Sequence, residues 1–179
     1  MENTKGMKRL ALLAVVVLVA AGCGTKTVTV TTTQTTTVTT TQAAPAACTA
    51  FDLSASFDVQ PGSAGAGNIT YVLKLTNTSK ATCVFTPSIL QLLDANGGQV
   101  PTHAQPASVP KSIPAGASIS YEARFSPDVP GVGDNTSGAC EPVSSTLQLT
   151  VGSGTVNAPI KPPTSVCEQG SMQFRPPTS

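Results

Sequence analysis

The sequence predicts an all-β domain: an antiparallel β-sandwich of seven or eight strands, immunoglobulin-like in architecture, placed behind an export segment and a linker. Three observations predict it. Several stretches alternate apolar and polar residues with period two, turn residues separate these stretches, and none of them keeps a helical period.

The first strand is expected over residues 50–59. Phe51, Leu53, Ala55, Phe57 and Val59 share one face, and Asp52, Ser54, Ser56 and Asp58 share the other. A glycine-rich loop, 61–67, follows. Residues 68–76 then put Ile69, Tyr71, Leu73 and Leu75 on a buried face. Asn77-Thr78-Ser79-Lys80 turns the chain into Cys83-Val84-Phe85. Pro87 interrupts, residues 89–93 resume, and Asn96-Gly97 marks a hairpin because both residues accept positive φ. Residues 99–113 carry Pro101, Pro106 and Pro110, which restricts them to short or edge strands. Pro114-Ala115-Gly116 leads into residues 118–125, where Ile119, Tyr121, Ala123 and Phe125 alternate with Ser118, Ser120, Glu122 and Arg124. Residues 126–139 are a loop. Leu147, Leu149 and Val151 mark a strand that Gly152-Ser153-Gly154 turns back through 156–160, and Met172 and Phe174 mark a last short one. The tryptophan of true immunoglobulin domains is absent, so the likeness is one of architecture.

The N-terminal segment addresses the chain to a membrane. The apolar run 10–21 falls well short of the roughly 20 residues that cross a bilayer. It has the length of a signal-peptide core, with Lys5, Lys8 and Arg9 as its basic lead-in. Ala20-Ala21-Gly22-Cys23 resembles the lipobox of bacterial lipoproteins, with Ala20 where leucine is commonest. That resemblance implies removal of residues 1–22, a diacylglyceryl thioether on Cys23, and a protein anchored on the extracytoplasmic face of the cell membrane. Two acyl chains hold a protein stably where one does so only marginally.

Residues 23–47 read as the lipidated cysteine and a linker. Twelve of the seventeen residues in 25–41 are threonine. They offer no apolar face to bury and read as an extended bare linker, with O-glycosylation of the threonines as the alternative. Fully extended, the linker reaches roughly 80 Å at about 3.3 Å per residue. The domain is expected over 48–176, with 177–179 as a tail. From Cys23 onward seven Lys and Arg oppose eight Asp and Glu, a net charge of −1, which argues against nucleic acid and gives no support for electrostatic membrane binding. Aromatics are 4% and tryptophan is absent, so a carbohydrate platform of stacked rings is not expected.

With Cys23 taken by lipid, Cys48, Cys83, Cys140 and Cys167 remain, an even number for an oxidising compartment. Four cysteines allow three pairings. Strand order favours Cys48–Cys83 with Cys140–Cys167, because an antiparallel pair returns the second cysteine of each couple close to the first. No Cys-x-x-Cys and a single histidine, His103, leave metal binding without a ligand set.

The succession of Cys48, a glycine loop, Leu75-Thr76-Asn77-Thr78-Ser79, Cys83, Leu92-Leu93-Asp94, Gly97-Gly98, Pro114-Ala115-Gly116, Cys140 and Cys167 resembles an uncharacterised actinobacterial family. That family is a domain of unknown function common in secreted lipoproteins. Its members usually carry glycine and proline after the second cysteine, where this chain has Phe85-Thr86-Pro87. The resemblance implies a sandwich at the cell surface; it implies no reaction and no functional residues.

No catalytic constellation is legible. Gly62-Ser63-Ala64-Gly65 lacks the spacing of a nucleophile elbow, and His103 reads as an exposed loop residue. Asp94-Ala95-Asn96-Gly97 starts like a calcium loop, but Gly98 and Gln105 stand where ligands belong, so a hairpin is expected. Asp128, Asp134 and Glu141 read as solvated turn residues, with a weak cation site as the alternative. Asn68, Asn77 and Asn135 each open an Asn-x-Ser/Thr triplet and read as turn residues. The expectation is a non-enzymatic module, without cofactor or metal, that binds a cell-wall component or an envelope protein. An exposed edge strand within 99–113 is one place for a partner strand. The competing readings are a secreted hydrolase with a scattered site and a purely structural spacer.

Overall fold

The computed structural model describes residues 44–86, 89–105 and 110–176. Cys23, residues 1–43 and the tail 177–179 lie outside the described residues, and with them the expected signal peptide, lipid anchor and most of the linker.

Twelve strands occur among the described residues: β1 (Ala46–Ala47), β2 (Leu53–Val59), β3 (Ile69–Asn77), β4 (Cys83–Phe85), β5 (Leu90–Leu93), β6 (Gln99–Val100), β7 (His103–Gln105), β8 (Lys111–Ile113), β9 (Ser118–Phe125), β10 (Ser144–Val151), β11 (Gly154–Thr164) and β12 (Ser171–Arg175). They form two sheets, one in the order β1-β4-β8, the other β6-β5-β10-β11-β2-β3-β9-β12-β7. Most pairings are antiparallel; β1–β4, β11–β2 and β12–β7 are parallel. The fold class is the sandwich that the alternation predicts, with more strands than seven or eight. The surplus strands are two or three residues long and exist because a neighbour pairs with them. Residues 99–113 supply three of these, β6 and β7 at the two ends of the large sheet and β8 at one end of the small one. Ala46 and Ala47, read from sequence as linker, pair with Cys83 and Val84.

Alternation puts Leu53 and Phe57 of β2, Tyr71, Leu73 and Leu75 of β3, and Tyr121, Ala123 and Phe125 of β9 into one core. There they meet Phe85 and Ile113 of the small sheet and Leu147, Leu149 and Ile160 of β10 and β11. The rings of Phe57, Tyr71 and Phe125 lie 5.2 and 5.3 Å apart in sequence order, within the range of favourable aromatic pairs. Phe57 and Phe174 stand on strands separated by two others, yet their centroids are 6.3 Å apart, so the large sheet is strongly coiled. Phe85 meets Tyr121 at 6.4 Å and ties the small sheet to the large one.

Two expectations at strand starts are corrected. Phe51 is not inward-facing; it is 98% exposed, in a single 3-10 turn over Ala50–Asp52. The Thr49 N–H and hydroxyl both donate to Asp52 Oδ2, at 2.7 and 2.8 Å, and this local bond bends the chain and swings the ring outward. Ile89 is also exposed and precedes β5 rather than opening it. The β10–β11 connection keeps to expectation. Gly152 and Ser153 form a two-residue loop, and the first of them has a φ of 59°, the positive value that a tight hairpin requires there.

Asn77 joins the two sheets. It is fully buried at the end of β3 and leaves no polar atom idle. Its side-chain amide donates to the Ala81 carbonyl at 2.8 Å and to the Ile113 carbonyl at 2.9 Å, and its Oδ1 accepts the N–H and hydroxyl of Ser79. A buried amide so used is directional, and fixes β8 against the end of β3 in a way that apolar packing does not.

Candidate functional site

Polar groups gather in two places. The first surrounds the disulfide Cys140–Cys167, whose Cα atoms are 5.4 Å apart; the other bridge is Cys48–Cys83, at 4.9 Å. This is the pairing that strand order favours. Immediately after Cys167, Glu168, Gln169 and Gly170 take φ values of 56°, 54° and 78°. Consecutive left-handed residues are unfavourable for L-amino acids other than glycine, by about 1–2 kcal/mol each. What holds them is Asp134. Its Oδ2 accepts the N–H of Gly131 at 2.8 Å and of Glu168 at 2.5 Å, and its Oδ1 accepts the N–H of Gln169 at 2.7 Å. Successive backbone N–H groups form an anion-binding nest, and a carboxylate from the same chain fills it. The Gly131 N–H, followed by those of Glu168 and Gln169, holds the Asp134 carboxyl below its usual range against desolvation. Desolvation, and then the negative charge of Asp134, pushes the neighbouring Glu141 carboxyl up.

Asp134, Cys140 and Cys167 place potential ligand atoms within 4.8 Å of one another. The group does not fit a metal. Both sulfurs are spent in the disulfide, and both oxygens of Asp134 face N–H donors rather than a cation. Asp128 is exposed and plays no part in this arrangement.

The second place is a cleft of 510 Å³ lined by Lys111, Ser118, Ile119, Ser120, Tyr121 and Pro176. It forms because β8 and β9, consecutive in the chain, belong to different sheets and diverge after the Pro114–Ala117 turn. β12 covers β9 only at Glu122, Ala123 and Arg124, so the first half of β9 has an open edge. Tyr121 is 5% exposed, and its hydroxyl has no hydrogen-bond partner among the described residues. Burial pushes its phenol up. The hydroxyl of Tyr71, by contrast, donates to the Pro162 carbonyl at 2.8 Å.

The family described as Domain of unknown function (DUF4232) matches residues 48–176. This chain belongs to that family. No curated protein and no solved structure matches it. In this DUF4232 domain the other residues singled out by sequence have structural employment. Asp94 Oδ1 accepts the N–H groups of Asn96 and Gly98, both at 2.8 Å, which builds the hairpin turn. His103 is exposed, as expected, but sits in β7 rather than a loop, with Nδ1 2.8 Å from the Gln169 carbonyl. Asn77 and Asn135 accept from the serine two residues on, as Asx turns do, and Asn68 donates to the Ala66 carbonyl. Sequence reading missed the Asp134 nest and the β9 edge. The glycines around Asp134 and the paired prolines 176 and 177 were the signals for them.

Proposed function

We propose that this chain is a lipid-anchored protein of the cell envelope. Its DUF4232 domain is a non-enzymatic module that binds an envelope protein or a wall component. The anchor rests on Cys23, after a charged and apolar leader and small residues. The extracytoplasmic setting is supported by two disulfides, which persist in oxidising compartments. Among the described residues no helix is long and apolar enough to cross a membrane.

The observation that carries the binding reading is the cleft between β8 and β9. An open half-edge on an eight-residue strand, beside a buried hydroxyl without a partner, is unusual in a sheet whose other ends are strands of two and three residues. Short edges protect against pairing; long open ones invite it. Crosslinking on intact cells, followed by purification of the chain, tests the reading. A discrete adduct that disappears when Cys48 and Cys140 are replaced supports a folded binding surface. The absence of any adduct, with the chain at its normal level on the membrane, contradicts it.

A further inference from the structure

We infer that the β9 edge is a strand-addition site whose ligand is an extended polypeptide segment, bound through backbone hydrogen bonds to Ser118 and Ser120. This deepens the binding reading above and rests on it.

Register carries the inference. The N–H of Asn77 donates to the Ala117 carbonyl at 2.9 Å, so residue 117 turns its carbonyl toward β3, while its N–H closes the turn on the Pro114 carbonyl. Backbone direction alternates along an antiparallel strand, so Ile119 and Tyr121 also face β3, while Ser118, Ser120, Glu122 and Arg124 face the other way. At Glu122 and Arg124 the other side is β12, with Arg175 and Gln173 as the opposing residues. At Ser118 and Ser120 no partner stands there among the described residues. β12 stops because Pro176 follows Arg175, and Pro177 follows that; neither has a backbone N–H with which to extend the ladder.

Among the described residues, this leaves two N–H and two C=O groups in a row at a spacing of about 6.8 Å, the repeat of an extended chain. A second strand satisfies all four together, whereas a sugar or a small anion does not match that repeat. Among the described residues nothing at the edge repels such a strand. Ser118 and Ser120 are small and neutral, residues 118–121 contain no proline, and no bulge interrupts the β3–β9 register. On β8, Ser112, next in sequence to the lining residue Lys111, presents a similar edge. The Cys48 N–H donates to the Val84 carbonyl, which turns residue 84 toward β1 and leaves Ser112, its opposite number, facing outward. Lys111 is the charged side chain in the lining, so a segment with an acidic residue is favoured there.

The test pans a random decapeptide display library against the full chain, and follows amide exchange by NMR. In the free chain the Ser118 and Ser120 amides should exchange quickly, and those of Ile119 and Tyr121 slowly. A selected peptide should slow Ser118 and Ser120 at least tenfold. N-methylating alternate residues of that peptide, which leaves the protein untouched, should weaken binding at least tenfold for one alternate set and less than threefold for the other. The inference is overturned if no peptide is selected, if Ser118 and Ser120 stay unprotected, or if N-methylation shows no alternation. Protection that rises with the chain's own concentration, without peptide, assigns the edge to a second copy and also overturns it. A crosslinked envelope partner that leaves these two amides unprotected would sink this inference while the broader binding reading stands.

Discussion

Asp134 and Gln169, 35 residues apart, are joined by a hydrogen bond of 2.7 Å from the Gln169 N–H to the carboxylate, inside a turn that the backbone would not adopt unaided. The loop 126–143 and the segment after β11 are therefore held twice, once by the Cys140–Cys167 bridge and once by this carboxylate.

The carboxylate makes the region sensitive to acid. Asp134 is held below its ordinary value, so the stability it contributes is present above the unfolded value of about 3.9 and is lost as pH falls through its folded value. Glu141, pushed up, acts with the opposite sign: its contribution is present below about 4.3 and is lost as pH rises through its raised value. Thermal melts across pH 2–8 should show Asp134→Asn lowering Tm at neutral pH and flattening the acid limb. Glu141→Gln should raise Tm at neutral pH. A Glu141→Gln chain that melts lower at pH 7 would show that the two carboxylates do not repel.

Gly170 closes that turn, and no other residue fits. A Cβ there would lie 2.6 Å from the Pro101 carbonyl carbon and 2.7 Å from Thr102 Cα, both backbone atoms, at a φ of 78°. Gly170→Ala should destabilise by about 3 kcal/mol or more, by overpacking and left-handed strain together. Urea unfolding measures it, and a change below about 1 kcal/mol would contradict the close approach.

Each disulfide closes a loop of similar size, with sequence separations of 35 and 27. Loop entropy depends on the logarithm of length, so Cys48→Ala and Cys140→Ala should each cost about 3–4 kcal/mol. Such losses are a large share of the roughly 5–15 kcal/mol that holds a domain together. Unfolding curves of the two variants should nearly coincide; a Cys140→Ala chain as stable as the parent would show that Asp134 alone holds the turn.

The lipid anchor is tested at one atom. Cys23→Ala removes the sulfur that would carry the thioether, so the chain should leave the membrane fraction or remain unprocessed. Mass spectrometry of the mature N-terminus should show a modified Cys23; an unmodified cysteine, or cleavage elsewhere, removes the anchor from the account.

Much of the sandwich was legible because half-buried strands write their period into the sequence. Ser118–Phe125 is bounded by Pro114-Ala115-Gly116 and a proline-rich loop, and the structure gives it the expected ends and faces. Phe51 misled because a Thr49–Asp52 hydrogen bond, not alternation, sets the backbone there. Strands such as β6 and β7 are too short to carry a period and follow from pairing alone. Asn77 was legible as a turn residue through Ser79, but not as a buried link to Ile113. The Asp134 nest was hidden for a different reason. Glu168 and Gln169 are poor candidates for left-handed backbone, and the group that makes it tolerable lies 34 and 35 residues upstream. The β9 edge depends on where a strand elsewhere in the chain stops, and Pro176 announces that stop only once β12 is known to lie beside β9.

Binding of an envelope partner at the open edge of β9 is tested by position. A photo-crosslinking amino acid at Ser120, in the cleft, is compared in intact cells with one at Thr155, exposed on β11. A discrete higher-mass adduct is expected from position 120 and none from position 155. No adduct at 120, or the same adducts from both positions, would contradict it.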